Sequence, residues 1–268
     1  MDIATLAGII IAVVGLVGGF MLDGGSFTAL LQPNAALIVF GGTLGATLTS
    51  SSLKTFLRIG KYLKIAFLSK KIDYLDVIEQ LVNLATIARR EGILALEDRV
   101  ESFPDQFLRD GIRLVVDGVD PELVKNMMET ELSYVEQRHE IGAKMFEAAG
   151  GFAPTMGIIG TVMGLIHVLG SLQDVSKLGP QIATAFTATL YGVASANVFW
   201  LPIANKLKHR NEDEILLREI MMEGVLSIQA GENPTILGQK LKAFLPPADR
   251  IESSKGKTGE VNAETAQA

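Results

Sequence analysis

The chain has 268 residues, 48% of them hydrophobic and 20% charged, with a mean hydropathy of +0.32 and a formal net charge of −6. It is too apolar for an ordinary soluble domain and too charged for membrane spans alone, so its charge must be segregated along the sequence. The acidic excess argues against nucleic acid as a partner, and the absence of cysteine removes disulfides, thiolate metal sites and thiol nucleophiles. The three histidines, His139, His167 and His209, have no zinc-binding spacing, so no metal or other cofactor is expected.

Four stretches without Asp, Glu, Lys or Arg, residues 3–22, 33–53, 148–173 and 178–205, are long enough to cross a bilayer, which takes about 20 helical residues. The first has no basic residue before it and ends in Met21-Leu22-Asp23 instead of a small-residue cleavage site, so it reads as a retained helix and not a signal peptide. Residues 1–53 thus hold the first two spans. Lys54, Arg58, Lys61, Lys64, Lys70 and Lys71 follow the second span, and Lys206, Lys208 and Arg210 follow the fourth. The connectors 23–32 and 174–177 hold one lysine between them, so the positive-inside rule puts the N-terminus, residues 54–147 and the C-terminus in the cytoplasm.

Within 54–147, Tyr74, Val77, Ile78, Leu81, Leu84, Ala85 and Ala88 recur at helical spacing and predict a helix with one buried face. Asp120-Pro121-Glu122 supplies an N-cap, a proline at the first helical position and an acid in the first turn. A long helix is expected from there, running into the third span. Residues 148–205 hold the third and fourth spans. Across 206–245, Leu217, Ile220, Met221, Val225 and Ile228 mark an amphipathic helix ending near Gly231, and Asn233-Pro234 opens a short one. Residues 246–268 are polar and simple and predict a disordered tail. With no strand alternation in the sequence, the expected fold is an all-α integral membrane protein with four transmembrane helices and a large helical cytoplasmic region.

Small residues recur at four-residue spacing as Gly15/Gly19, Gly41/Gly45, Gly160/Gly164 and Ala188/Gly192. Such pairs let helix backbones approach closely, either within the chain or between copies. No span carries an acid or a base, so an ion path would need a carboxylate from another chain. Thr161 and Thr189 fall near mid-membrane on consecutive spans. Their hydroxyls either help to dehydrate a hard cation or bond a carbonyl one turn back or on a neighbouring helix. His167, nearer the outer end of its span, reads as a packing or hydrogen-bonding residue, with a proton relay as the alternative. Pro154 and Pro202 lie at the cytoplasmic ends of their spans, at similar depth, and form either a hinge or a first helical turn and a helix end. Arg89, Arg90, Glu91, Glu97 and Asp98 concentrate both signs of charge beside Gly92; they form either a solvated face or a weak, reversible protein contact.

The stretch Ala185-Phe186-Thr187-Ala188-Thr189-Leu190-Tyr191-Gly192 with Pro202 beyond it resembles the fourth-span signature of the MotA/PomA family of flagellar stator subunits. Phe152-Ala153-Pro154 leading to Ile159-Gly160-Thr161-Val162-Met163-Gly164-Leu165 is similar to its third span, and Arg89-Arg90-Glu91-Gly92 with Leu96-Glu97 and Leu217-Arg218-Glu219 with Glu223-Gly224-Val225-Leu226 also match. The resemblance implies a homo-oligomeric ring, a pentamer in known cases, in the bacterial inner membrane around a single-span MotB/PomB-type partner whose membrane Asp binds the ion. It implies that the first two spans face lipid outside, that the third and fourth line the ion path with Thr161 and Thr189, and that Pro154 and Pro202 couple ion flow to movement. It further implies that the charged cluster, Arg89 and Glu97 above all, contacts the rotor protein FliG. Thr161, Thr189 and the opening Met1-Asp2-Ile3-Ala4-Thr5-Leu6 resemble sodium-type members, whereas Ala188 departs from them; the implied ion is Na+, with H+ as the alternative.

Two rival readings are an ExbB/TolQ-like energiser, which typically has three spans and an outside N-terminus, and a non-motor scaffold or permease, which should carry polar groups or broken helices at the midplane. No nucleophile, base and orienting group occur together, so no enzyme activity is expected.

Overall fold

The computed structural model describes residues 3–68, 72–100, 103, 105–170, 172–173 and 175–250, and all the regular structure among them is helical. In chain order come α1 (Ile3–Leu22), a 3-10 turn (Phe27–Leu30), α2 (Pro33–Ala36), a π turn (Leu37–Gly41) and α3 (Gly42–Ser50). Next are α4 (Leu53–Phe56), α5 (Ile59–Leu68), α6 (Tyr74–Glu91), a 3-10 turn (Ile93–Leu96), α7 (Glu97–Val100) and α8 (Gln106–Val116). The remainder is α9 (Pro121–Gly170), α10 (Val175–Ser195), a second π turn (Ala196–Trp200), α11 (Leu201–Gln229) and α12 (Pro234–Lys242).

The chain divides into two compact units, Met1–Lys70 with Gln137–Asn211, and Lys71–Glu136 with Glu212–Ala268. The first holds the segments predicted to span. Ile3–Leu22, Phe27–Ser50 and stretches of Pro121–Gly170 and Leu178–Gln229 are long and apolar enough to cross a membrane. No residue of α1 is buried, and Ile11, Val14 and Leu22 are 71%, 63% and 91% exposed. A surface of that kind requires an apolar surrounding.

The same unit has a core where Phe146, Ala149 and Ala153 of α9 meet Trp200, Ile203, Ala204 and Leu207. Trp200 stacks at 6.0 Å from Phe146 and edge-on at 5.0 Å from Phe199. Ala66 of α5 joins this core, and Tyr62 fills the space a Cβ at Gly142 would take. Lys208 pairs with Glu147, and His139 Nδ1 lies 3.1 Å from Asn211 Oδ1. Residues 59–68 and 137–147, expected in the cytoplasmic region, therefore belong to the same compact unit as the apolar helices.

In the second unit the expected face of α6 is buried through Ile78, Leu81, Leu84 and Ala85, with Tyr74, Val77 and Ala88 packed at its edges. It meets Phe107, Leu108, Ile112 and Val115 of α8, Val124 and Met128 of α9, Ile220, Val225 and Ile228 of α11, and Leu237 and Leu241 of α12. The helix starts follow their caps. Asp105 accepts from Phe107 and Leu108 at 2.9 and 3.3 Å, Asp120 from the Glu122 amide at 2.9 Å, and Asn233 from Thr235 at 2.9 Å. Gly231, at φ +69°, ends the turn after α11 in a conformation that favours glycine. Lys240 of α12 bridges Glu223 (2.5 Å), Glu232 (3.1 Å) and the buried Ser227 hydroxyl (3.2 Å). The hydrogen bond to Glu223 chiefly raises its pKa above the ordinary lysine value, although partial burial opposes the shift.

Of the predicted disordered tail, residues 246–250 form turns closed by Arg250, which donates to the carbonyls of Leu245 at 2.8 Å and Ala243 at 3.1 Å. Residues 251–268 lie outside the described residues.

Candidate functional site

The site rests on the contact between α9 and the α10–α11 run. α9 is continuous from Pro121 to Gly170, as its cap predicts. A Cβ at Gly164 would sit 2.6 Å from the Ala185 Cβ, one at Gly160 2.7 Å from the Ala188 Cβ, and one at Gly157 3.0 Å from the Ala188 carbonyl oxygen. A Cβ at Gly192 would sit 2.5 Å from the Ala153 carbonyl oxygen. The small residues of these two spans therefore let the two backbones touch, which is the intrachain use of such spacing. At Gly15, Gly19 and Gly45 an added methyl group would meet no heavy atom within 4 Å, so equal spacing on the first two spans has no intrachain counterpart.

Close approach brings Thr161 and Thr189 together. The Thr161 hydroxyl contacts the Thr189 hydroxyl and lies 3.1 Å from the Gly157 carbonyl oxygen, one turn back, and 3.0 Å from the Ala185 carbonyl oxygen on the facing helix. Of the two alternatives left open by the sequence, bonding to a carbonyl one turn back or on a neighbouring helix is the one seen here. Thr161 satisfies its hydroxyl on backbone, while four oxygens, the ligand type a hard cation prefers, gather in one place. Counting back from Gly170 at 1.5 Å per residue, Thr161 lies about 14 Å from the helix end, near half the thickness of a bilayer core. His167 is exposed, six residues further on and on a different face of α9.

Pro154 stands inside α9, not in a first turn. Its missing N–H leaves the Gly150 carbonyl without its usual helical donor, and Gly150 itself packs on Leu201, where a Cβ would meet the Leu201 Cδ2 at 2.5 Å. Pro202 follows the π turn Ala196–Trp200 and the helix runs on to Gln229, so it is no helix end. Leu201 faces Gly150, four residues before Pro154, and Pro202 lies one residue further away because the helices run antiparallel, so the two prolines are offset by about five residues, about 7.5 Å, instead of lying level. The π turn, in which the Leu201 amide bonds the Ala196 carbonyl, takes up the backbone mismatch that Pro202 creates.

Sequence reasoning missed Tyr191. Its hydroxyl donates to the Leu30 carbonyl and accepts from the Gln32 amide at 3.1 Å, and its ring lies 6.1 Å from Phe40. Two turns away, the Thr184 hydroxyl lies 3.2 Å from the Gln32 side-chain oxygen. The connector 23–32 is thus clamped to α10. A tyrosine hydroxyl within an apolar span, which must find a partner, is the signal that could have found it.

In the second unit, Arg89, Arg90 and Glu91 close α6, and Glu97 and Asp98 open α7. Gly92, at φ +91°, turns the chain, and Leu96 anchors the turn with no exposure at all. All five charged side chains are exposed on the two sides of this turn.

Helices long and apolar enough to cross a membrane, two of them paired through small residues around partly buried hydroxyls, and no metal cluster among the described residues, are the class this site defines. Residues 6–92 match the family model for the motility protein A N-terminal region, and residues 99–220 match that of the MotA/TolQ/ExbB proton channel family. The chain is 40% identical over 270 residues to motility protein A of Bacillus subtilis, covering 99% of this chain and all of the relative. It is 39% identical to motility protein A of Borreliella burgdorferi, covering 85% of this chain and 87% of the relative. Among solved structures it resembles Campylobacter (C. jejuni) MotAB with a TM-score of 0.89 at 32% identity, covering 94% of this chain and 99% of that one. The flagellar MotAB stator complex from Bacillus subtilis gives a TM-score of 0.86 at 40% identity, covering 92% and 98%. This chain belongs to the MotA family of flagellar stator subunits.

Proposed function

We propose that the chain is the ring-forming half of an ion-driven stator in the bacterial inner membrane, with four spans and both ends in the cytoplasm. Five copies surround a single-span MotB/PomB-type partner, and ion flow between them turns the ring against the rotor protein FliG. The observation that carries this reading is the oxygen cluster of Thr161 and Thr189, set between α9 and α10 in spans that hold no acid or base of their own. Hydroxyls of this kind strip water from a cation but do not balance its charge, so a carboxylate must come from the partner. The similarity to two MotAB structures supports a partner of that type. Na+ is the ion proposed; the description of the matched family as proton channels favours H+ as the second reading.

Torque would pass through Arg89, Arg90, Glu91, Glu97 and Asp98, whose exposure suits a reversible contact. Pro154 and Pro202, flanking the Gly150–Leu201 contact, are where helix movement would be transmitted. Each elementary charge crossing 100 mV releases about 2.3 kcal/mol, comparable to several exposed ion pairs being exchanged. No enzymatic step enters this reading.

The test is rotation of tethered cells lacking their own stators, supplied with this chain and its partner, with sodium exchanged for potassium at constant pH. Rotation that stops without sodium supports both motor and ion. Rotation that persists moves the ion to H+, and no rotation despite membrane assembly overturns the motor reading in favour of an ExbB/TolQ-like or scaffold role.

A further inference from the structure

The rotor-facing charges flank an apolar feature that they do not explain. Leu94, at the tip of the Ile93–Leu96 turn, is 72% exposed, while Leu96 two residues on is fully buried. Ile93, its neighbour, lines a cavity of about 120 Å³ together with Ala85, Ala88 and Ile228, and Arg89, Gly231 and Glu232 complete the wall. An exposed leucine next in sequence to the cavity-lining Ile93, bounded in sequence by Arg89-Arg90-Glu91 on one side and Glu97-Asp98 on the other, has the layout of a small protein interface: an apolar centre inside a charged rim. Exposed charges contribute mainly orientation and association rate, and their contribution falls with salt; affinity comes from apolar side chains that lose water on contact.

We infer that Leu94 and the cavity beside Ile93 are the apolar anchor of this surface, and that they take the apolar side chain of a rotor protein whose contact face carries charges of both signs. The inference rests on the rotor reading of the charged cluster. Charge complementarity argues for such a partner. A lipid surface would match only the arginine side, and an apolar contact alone would leave the acidic side against like or unpaired groups.

The experiment measures binding of purified FliG to the full chain assembled with its single-span partner in nanodiscs, at low and at high salt. Leu94→Ala should weaken binding about tenfold at both salt concentrations, because it removes buried apolar area. Leu94→Met, which keeps volume, should bind as the unaltered chain does. Arg89→Glu should weaken binding at low salt, with the effect shrinking at high salt. Loss with Arg89→Glu but none with Leu94→Ala would keep the rotor reading and overturn the anchor. A Leu94→Ala chain that binds FliG normally but assembles with fewer copies, measured by mass, would show that a second copy covers Leu94 and would also overturn it. Unchanged binding by all three variants would remove both the rotor reading and the anchor.

Discussion

Gly192→Ala tests the contact on which the hydroxyl pair depends. A methyl group there would lie 2.5 Å from the Ala153 carbonyl oxygen and 3.0 Å from the Gly157 Cα. Both are backbone atoms of α9, so no side chain can swing away. Relief requires the two helices to separate by about 1 Å, given that non-bonded carbon contacts settle near 3.5 Å. Overpacking of this kind costs about 1–3 kcal/mol. The same movement stretches the 3.0 Å bond from Thr161 to the Ala185 carbonyl beyond hydrogen-bond reach. Thermal unfolding of the assembled complex should fall by roughly 5 °C, and the half-saturating sodium concentration for rotation should rise. Gly60→Ala is the contrast. Gly60 is exposed in α5 with nothing within 4 Å of the new methyl, so alanine should stabilise the helix by up to about 1 kcal/mol. A Gly192→Ala complex that melts with the unaltered one and keeps its sodium response would refute the close-contact argument.

Thr161→Ala should weaken sodium dependence of rotation while Thr161→Ser retains it; an unchanged half-saturation would assign the hydroxyl to packing alone. Tyr191→Phe keeps the ring against Phe40 but leaves the Leu30 carbonyl and Gln32 amide without their partner. A loss of about 1–3 kcal/mol is expected in unfolding measurements, with faster hydrogen exchange in 23–32. Lys240→Met should cost under about 1 kcal/mol, because the ion pairs it loses are substantially exposed. The Lys240 pKa is raised in the folded chain above its ordinary value of 10.5. Its stabilisation is therefore complete below pH 10.5 and is lost as pH rises through the folded value. Melting of the Lys240→Met variant and the unaltered chain should differ at neutral pH and converge in strong alkali.

Much of the helical layout is legible in the sequence because it depends on local chemistry. The first apolar stretch and α1 share the bounds Ile3–Leu22, and the Asp120-Pro121 cap begins α9 where a cap and a preset φ favour it. The buried face of α6 follows its periodicity for the same reason. What is not legible depends on partners distant in sequence. Gly160 and Gly15 look alike in spacing, yet only at the former would an added methyl group meet another helix within 4 Å. The π turns at Leu37–Gly41 and Ala196–Trp200 change backbone bonding without altering side-chain type, so no pattern announces them. Pro154 is open to a first-turn reading because charge ends at Glu147, but α9 is set by its cap 34 residues upstream and not by the polarity change. Thr161 and Thr189 stand out as hydroxyls; that they share one oxygen cluster follows from the glycine contacts, which fix the register of the two helices.

That register bears on how an ion could use the site. In the chain as it stands the Thr161 hydroxyl has one proton to give to the Gly157 or the Ala185 carbonyl, and its oxygen can accept from the Thr189 hydroxyl. Admitting a cation means giving up hydrogen bonds worth about 1 kcal/mol each, and the oxygens gained are neutral. On the proposed reading the hydroxyl pair is therefore closed to a cation until a partner's carboxylate arrives to attract it. Once the charge is compensated, about 2.3 kcal/mol per 100 mV is enough to exchange those bonds. The tight glycine contacts then have a mechanical consequence. With backbone against backbone at Gly157 and Gly192, α9 cannot yield locally to an ion at Thr161. On the proposed reading, displacement would pass along the helix toward Gly150, Leu201 and the two prolines, where a missing N–H and a π turn make the backbone easier to bend.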